Sequence, residues 1–335
     1  MNITFLIGNG FDINLGLPTK YSDFLAYHNA KGYTDMISLS MRDDLKRWSD
    51  VESELGAFAA GLTIEEVDAF LDAKENVEQS LIEYLTLIAE EFSIAMSDEG
   101  AMEFRNKLVG FSNEFRTEDR EQLEKYISET FDSISYSIIT FNYTSYIDSI
   151  MKKAKELGPF STHIVNRHTI NDSLRGPFHI HGILGPDMIF GVNDRSQMAC
   201  SDEVAKRISE YMIKSNLNSA VGERKVDKAK QMIDSSEYIC IFGMSMGQTD
   251  LMWWKYIFEW MKKSSKHHLV LYKRYTTPTI IGASAAARRR NSARREFLNL
   301  VGAKDDGAKV ENQIIVIPNT SVFTYEKIKV ADKNG

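Results

Sequence analysis

The chain has 335 residues, 43% of them hydrophobic and 26% charged, and 47 acidic against 40 basic side chains leave a net charge of −7. That balance is ordinary for a soluble globular protein with a large core and two lobes, and it argues against bulk affinity for nucleic acid or an anionic membrane surface. Two cysteines, Cys200 and Cys240, are too few for a metal cage and lie in no redox motif, and no apolar run approaches the ~18 residues of a membrane span, so a cytoplasmic protein is expected.

In chain order, the apolar run Ile3-Thr4-Phe5-Leu6-Ile7 leads into Gly8-Asn9-Gly10-Phe11-Asp12 and then Gly16-Leu17-Pro18. A buried strand ending in Gly-x-Gly is how α/β proteins bring backbone close to phosphate. Glycine permits the tight turn, and the following helix start offers N–H groups and a partial positive charge. From Ser22 to Thr130 there is no proline, and a one-face pattern recurs at three- and four-residue spacing (Val67, Phe70, Leu71 and Lys74, then Leu81, Leu85, Ile88 and Phe92). This stretch reads as helical, with Thr117 as the N-cap of a helix whose first turn is acidic.

Strand pattern returns at Tyr136-Ser137-Ile138-Ile139-Thr140-Phe141, and a helix is expected after Asn142 because Ile147, Ile150 and Met151 share a face. A strand or strand end is expected over Phe178 to Ile183, and further strands over Asp187 to Val192, Tyr238 to Gly243, His268 to Tyr272 and Gln313 to Ile317. Cys200 to Ser235 reads as helical, and Met252 to Lys262 as an aromatic helix whose Trp253, Trp254, Phe258 and Trp260 fill the core. Alternation of strand and helix implies an α/β fold with a Rossmann-like, mostly parallel sheet and a large helical insertion. Residues 1–24 and 131–335 would form the α/β domain, and 25–130 the inserted helical lobe.

Four strand ends then carry a resemblance. Gly8-x-Gly10-Phe11 with Gly16-Leu17-Pro18, Phe141-Asn142-Tyr143, His181-Gly182 and Gly243-Met244-Ser245 resemble, in the same order, the nucleotide-binding segments of sirtuins. More closely, Gly8-Asn9-Gly10-Phe11-Asp12, Gly16-Leu17-Pro18-Thr19-x-Tyr21-x-Asp23-Phe24, Trp48-Ser49-Asp50-Val51-Glu52 and Phe242-Gly243-Met244-Ser245-x-x-x-x-Asp250 resemble the bacterial phage abortive-infection AbiH family. That family is similar to the sirtuin-type domains of antiphage systems, several of which destroy NAD. The resemblance implies an antiphage enzyme that hydrolyses NAD to nicotinamide and ADP-ribose. Asn142 and His181 would be the catalytic pair, and Gly8, Asn9, Gly10, Phe11, Asp12, Gly182, Gly243 and Ser245 would bind the nucleotide.

The chemistry suits those residue types. Cleavage passes through an oxocarbenium-like state at the ribose, so the protein needs a phosphate cradle, groups for the ribose hydroxyls and a polar group to guide water. Amides from Gly8 to Phe11 would supply the cradle, Asn142 would hold a ribose hydroxyl and orient water, and His181 would accept a proton. Asp12 stands where sirtuins carry a serine, so it caps the helix, meets an arginine or points at the ribose. The four-cysteine zinc module of sirtuins is absent. NAD is expected as substrate and no metal is expected. A closed resting state or oligomeric control and a phage-derived trigger or partner protein are implied, without membrane or nucleic acid.

Plainer readings stand beside these. Gly8 and Gly10 also suit a structural turn, Asn142 a helix N-cap, and His181 a histidine bonded to a backbone carbonyl. His179 and His181, two apart on a strand, would share a face and chelate a metal, with His163 and His168 nearby in sequence. Glu52 and Glu54 either reach the site or pair with Lys46 or Arg47. The basic run Arg288, Arg289, Arg290, Arg294 and Arg295 is either an RNA surface or a solvated helix face. A non-catalytic nucleotide-binding sensor and an RNA-targeting effector are therefore the alternative functions.

Overall fold

A computed structural model describes residues 1–220, 224–276, 282–303 and 306–333. Strand β1 (Asn2–Ile7) leads through α1 (Gly10–Leu15), α2 (Tyr21–Ala30), α3 (Met36–Asp43) and α4 (Val51–Phe58) to the long α5 (Val67–Glu91). Then come β2 (Phe92–Met96), α6 (Asp98–Val109), α7 (Thr117–Ser128) and β3 (Ser135–Thr140). Helix α8 (Tyr146–Glu156) precedes the hairpin β4 (Ser161–Val165) and β5 (His168–His179). Helices α9 (Asp202–Met212), α10 (Lys214–Ala220) and α11 (Lys225–Asp234) lead to β6 (Tyr238–Phe242). The chain ends through α12 (Leu251–Lys262), β7 (His268–Lys273), α13 (Ala283–Leu300), α14 (Gly307–Val310), β8 (Ile314–Pro318) and β9 (Ile328–Asp332). No helix among the described residues is long and apolar enough to cross a membrane.

Seven strands form one sheet in the order β4-β5-β3-β1-β6-β7-β8, parallel except for the antiparallel edge pair β4–β5. From the central β1 the chain steps outward to β3 and β5, then crosses over to β6, β7 and β8. Side-chain alternation divides the core. Ile3, Phe5, Ile7, Ile138, Cys240 and Val270 face α6 and α8, while Leu6, Ile139, Ile239, Ile241 and Leu271 face α11, α12 and α13. Each fully buried Leu, Ile or Phe contributes about 1.5–3 kcal/mol relative to exposure. A third apolar cluster joins α2 to α5 with α9, from Phe24, Ile37, Trp48, Phe70 and Val77 to Ile208 and Met212.

Most expected elements are present, and the differences have local causes. The three- and four-residue spacing does make one helix, α5, whose buried stripe runs from Val67 through Phe70, Val77 and Leu81 to Ile88. The stretch read as wholly helical nevertheless contains β2, which pairs antiparallel with β9. Thr117 is the first residue of α7, not its cap; Arg116 holds that place and ion-pairs with Asp119. Asp187 to Val192 makes no strand beyond one bridge from Val192 to Ile213. Its apolar run is a buried loop, tied back by Met188 to Gly185 and by Ile189 to His181, so continuous hydrophobicity there reports burial without strand pairing.

Candidate functional site

The carboxyl ends of β1 and β6 meet directly. The Gly8 amide donates to the Phe242 carbonyl at 3.0 Å, Gly10 to Gly243 at 2.8 Å, and Phe11 back to Gly8 at 2.9 Å. A Cβ on Gly10 would lie 2.4 Å from the Gly243 Cα, and Gly243 has φ +69°. These glycines therefore let one strand end pack on the other. Three of the amides expected to cradle phosphate are thus engaged inside the protein, and the Phe11 ring is buried against Phe323 and Tyr325. Gly182 is likewise required by backbone packing, since a Cβ there would collide with the Asp187 carbonyl oxygen.

Two cavities flank this junction. A cleft of about 1200 Å³ is lined by Asn9, Gly10, Lys20, Tyr21, Ser22, Ser49, the Phe242–Ser245 turn, Tyr272–Thr276 and Asn319–Thr320. A smaller chamber of about 100 Å³ is lined by Asn9, Asp12, Thr19, Tyr21, Asn142 and Thr144, with Phe24, Leu81, Tyr84 and Leu85 as its apolar wall. Asn9 and Tyr21 belong to both walls. Asn9 is locked there, its amide donating to the Thr19 carbonyl and its carbonyl accepting from the Thr19 hydroxyl at 2.7 Å.

Asp12 turns into the chamber. Its Oδ2 accepts from the Thr144 hydroxyl at 2.5 Å, and its Oδ1 is buried without a partner. Burial pushes its carboxyl up to about 6, opposed by Thr144, the neighbouring Asn142 amide and His179. Both amide atoms of Asn142 are also buried and unpartnered. Asn142 caps no helix, because α8 begins at Tyr146 with Ser145 before it. Three orphaned polar atoms at the ends of two adjacent strands are costly unless something occupies the chamber.

His181 lies close by in the backbone but outside that lining. Its ring stands edge-on to Phe141 at 5.3 Å and tilted to Tyr143 at 6.3 Å, the two residues flanking Asn142. Burial, with Lys214 and Lys225 adding to it, holds the imidazole well below its usual value, so it is neutral. Asn142 therefore meets Asp12 in the chamber, whereas His181 braces the wall behind it. His179 is fully engaged, Nδ1 with the Asn142 carbonyl at 3.1 Å and Nε2 with Asp148 at 2.9 Å. His163 is engaged with Asp172 and Thr130, and among the described residues no group of three His, Cys, Asp or Glu could hold a metal ion.

A buried ionic network underlies the same wall. Lys214 Nζ donates to Glu52 Oε2 at 2.8 Å, and the Tyr143 hydroxyl lies 3.0 Å from both Glu52 Oε1 and the Ile189 carbonyl. Burial pushes Asp250 up to about 7, opposed by Lys214 and reinforced by Glu52 and Asp50. The Tyr21 hydroxyl is raised by burial and by the same three carboxylates. Glu54 pairs with Arg47 instead. Sequence reading had weighed Glu52 but missed Lys214 and Thr144; a lone lysine inside the apolar run Met212-Ile213-x-x-x-Leu217 was the only cue. The arginine run lies on α13, where Arg294 donates to the Ile314 carbonyl and Arg289 stacks on Tyr275 of the cleft wall at 5.0 Å.

Compared with known proteins, the sequence matches the family described as bacteriophage abortive infection AbiH over residues 4–272. No curated protein matches it.

Proposed function

The chain belongs to the bacteriophage abortive infection AbiH family, which suggests a role in phage defence, and from that premise we propose that it acts by hydrolysing NAD to nicotinamide and ADP-ribose. The observation that carries this reading is the chamber where Asp12 Oδ1 and both amide atoms of Asn142 are buried without partners. The sheet supports it. Counting only the parallel strands in chain order, β5-β3-β1-β6-β7-β8 runs 3-2-1-4-5-6, the order of doubly wound sheets that take dinucleotides where the order reverses. Chamber and cleft both adjoin that reversal, and together they suit a ligand with its reacting ribose inside and its diphosphate outside.

The nicotinamide–ribose bond breaks with its electron pair passing to the pyridinium nitrogen, which leaves as neutral nicotinamide. Positive charge builds at the ribose C1′, where the Asp12 carboxylate, ionised above pH 6, stabilises it. Water adds to C1′ and its proton passes to Asp12, the accepting role that the sequence had given to His181. Asn142 holds a ribose hydroxyl and orients the water. His181 is a positioning residue that acts through Phe141 and Tyr143. Helices α2 to α5, which supply Phe24, Leu81, Tyr84 and Leu85 to the chamber's apolar wall, serve as lid or partner surface for the trigger.

Incubating purified protein with NAD and following nicotinamide release tests the proposal. Release by wild type that disappears in Asn142→Ala and Asp12→Asn supports it. NAD binding without release would identify a non-catalytic sensor instead, and neither binding nor release would remove the nucleotide reading.

A further inference from the structure

A dinucleotide's diphosphate needs charge compensation, and the glycine turn cannot provide the usual share. The amides of Gly8, Gly10 and Phe11 already donate to Phe242, Gly243 and Gly8. The lining of the cleft differs in character from the rest of the molecule. In a chain with an acidic excess, the residues lining this cleft include no Asp or Glu, but they do include Lys20, Lys273 and Arg274. Lys273 is neutralised by Glu296 at 2.7 Å. Lys20 and Arg274 are exposed, line the cleft and make no ion pair among the described residues.

Resting on the nucleotide reading above, we infer that the cleft contains a diphosphate subsite in which Arg274 and Lys20 are the charge partners of a nucleoside diphosphate moiety. A guanidinium offers paired donors in the fork geometry that phosphate accepts, and an ammonium adds a point charge. Ser22 and Ser245, both lining the same space, add neutral hydroxyl donors. Anion recognition has thus moved from backbone amides at the β1 turn to side chains at the starts of α2 and of the loop after β7. Such a site is readily weakened by salt, because its charges face solvent.

Calorimetric titration of the full-length protein with ADP-ribose, and with adenosine as the phosphate-free control, tests the inference. Arg274→Ala and Lys20→Ala are each expected to weaken ADP-ribose binding by about ten- to a hundredfold, with Arg274→Lys falling between, while adenosine binding changes less than about twofold. Raising salt should weaken wild-type binding of ADP-ribose more than it weakens either variant. If wild type binds ADP-ribose and both alanine variants bind it equally well, the subsite is overturned and the nucleotide reading survives. If wild type binds neither ADP-ribose nor NAD, both fall. Loss of binding to a single-stranded RNA in Arg274→Ala, without any ADP-ribose binding by wild type, would make the surface a nucleic-acid face and overturn the inference.

Discussion

The Gly10 amide donates to the Gly243 carbonyl at 2.8 Å, joining the turn after the first strand to the end of a strand more than two hundred residues later. This contact explains both glycines without invoking a ligand. Gly10→Ala should therefore destabilise the fold, because its Cβ would sit 2.4 Å from the Gly243 Cα. The expected loss is about 1–3 kcal/mol in urea denaturation without ligand. A variant as stable as wild type would show that the strand ends do not pack this way.

Asp12 and His181 should give opposite pH dependences of stability. Asp12 is raised from 3.8 to about 6, so the folded state holds its proton more tightly than the unfolded chain. Its contribution is fully present below pH 3.8 and is lost as pH rises through 6, about 3 kcal/mol in all at ~1.4 kcal/mol per unit. Asp12→Asn keeps an acceptor for Thr144 and should remove that slope, making the variant more stable than wild type at pH 7.5. His181 is lowered from 6.5, so the unfolded chain binds the proton first and stability is lost as pH falls below 6.5. His181→Gln should flatten the acid side only. Melting temperatures between pH 4 and 8 that keep both slopes in both variants would contradict the burial assigned to these groups.

Asn142→Leu should separate stability from activity. The amide it removes makes no closed hydrogen bond and eases only the Asp12 carboxylate, so stability at pH 7.5 should change by no more than about 1 kcal/mol. Nicotinamide release should fall at least a hundredfold, the scale of a lost polar catalytic contact. A variant that unfolds would mean that the amide is satisfied in the native state.

Glu52 and Lys214 bury an ion pair whose side chains are 11% and 5% exposed. Removing either partner alone, as in Glu52→Gln or Lys214→Met, should cost about 3–5 kcal/mol because a charge or a donor is stranded. The double variant should recover much of that loss. A double-mutant cycle by chemical denaturation with no coupling would refute the pair.

Local pattern made much of this protein legible. The run Ile3-Thr4-Phe5-Leu6-Ile7 has to be a buried strand, Gly8 and Gly10 have to follow it in a tight turn, and the α5 stripe has to be a helix, because each depends only on neighbours along the chain. The family was legible for the same reason, since its motifs are short and contiguous. Pairing across the fold was not. Asp12 meets Thr144 across 132 positions because the sheet places β3 beside β1, and Lys214 of α10 meets Glu52 of α4 across 162. The buried run around Met188 looked like a strand because apolar composition reports removal from water, whereas strand pairing depends on which backbone lies alongside. Sequence determined what each segment is; only the folded sheet decided which amides remain to meet a ligand, because a hydrogen bond already made inside the protein cannot also be offered outside it.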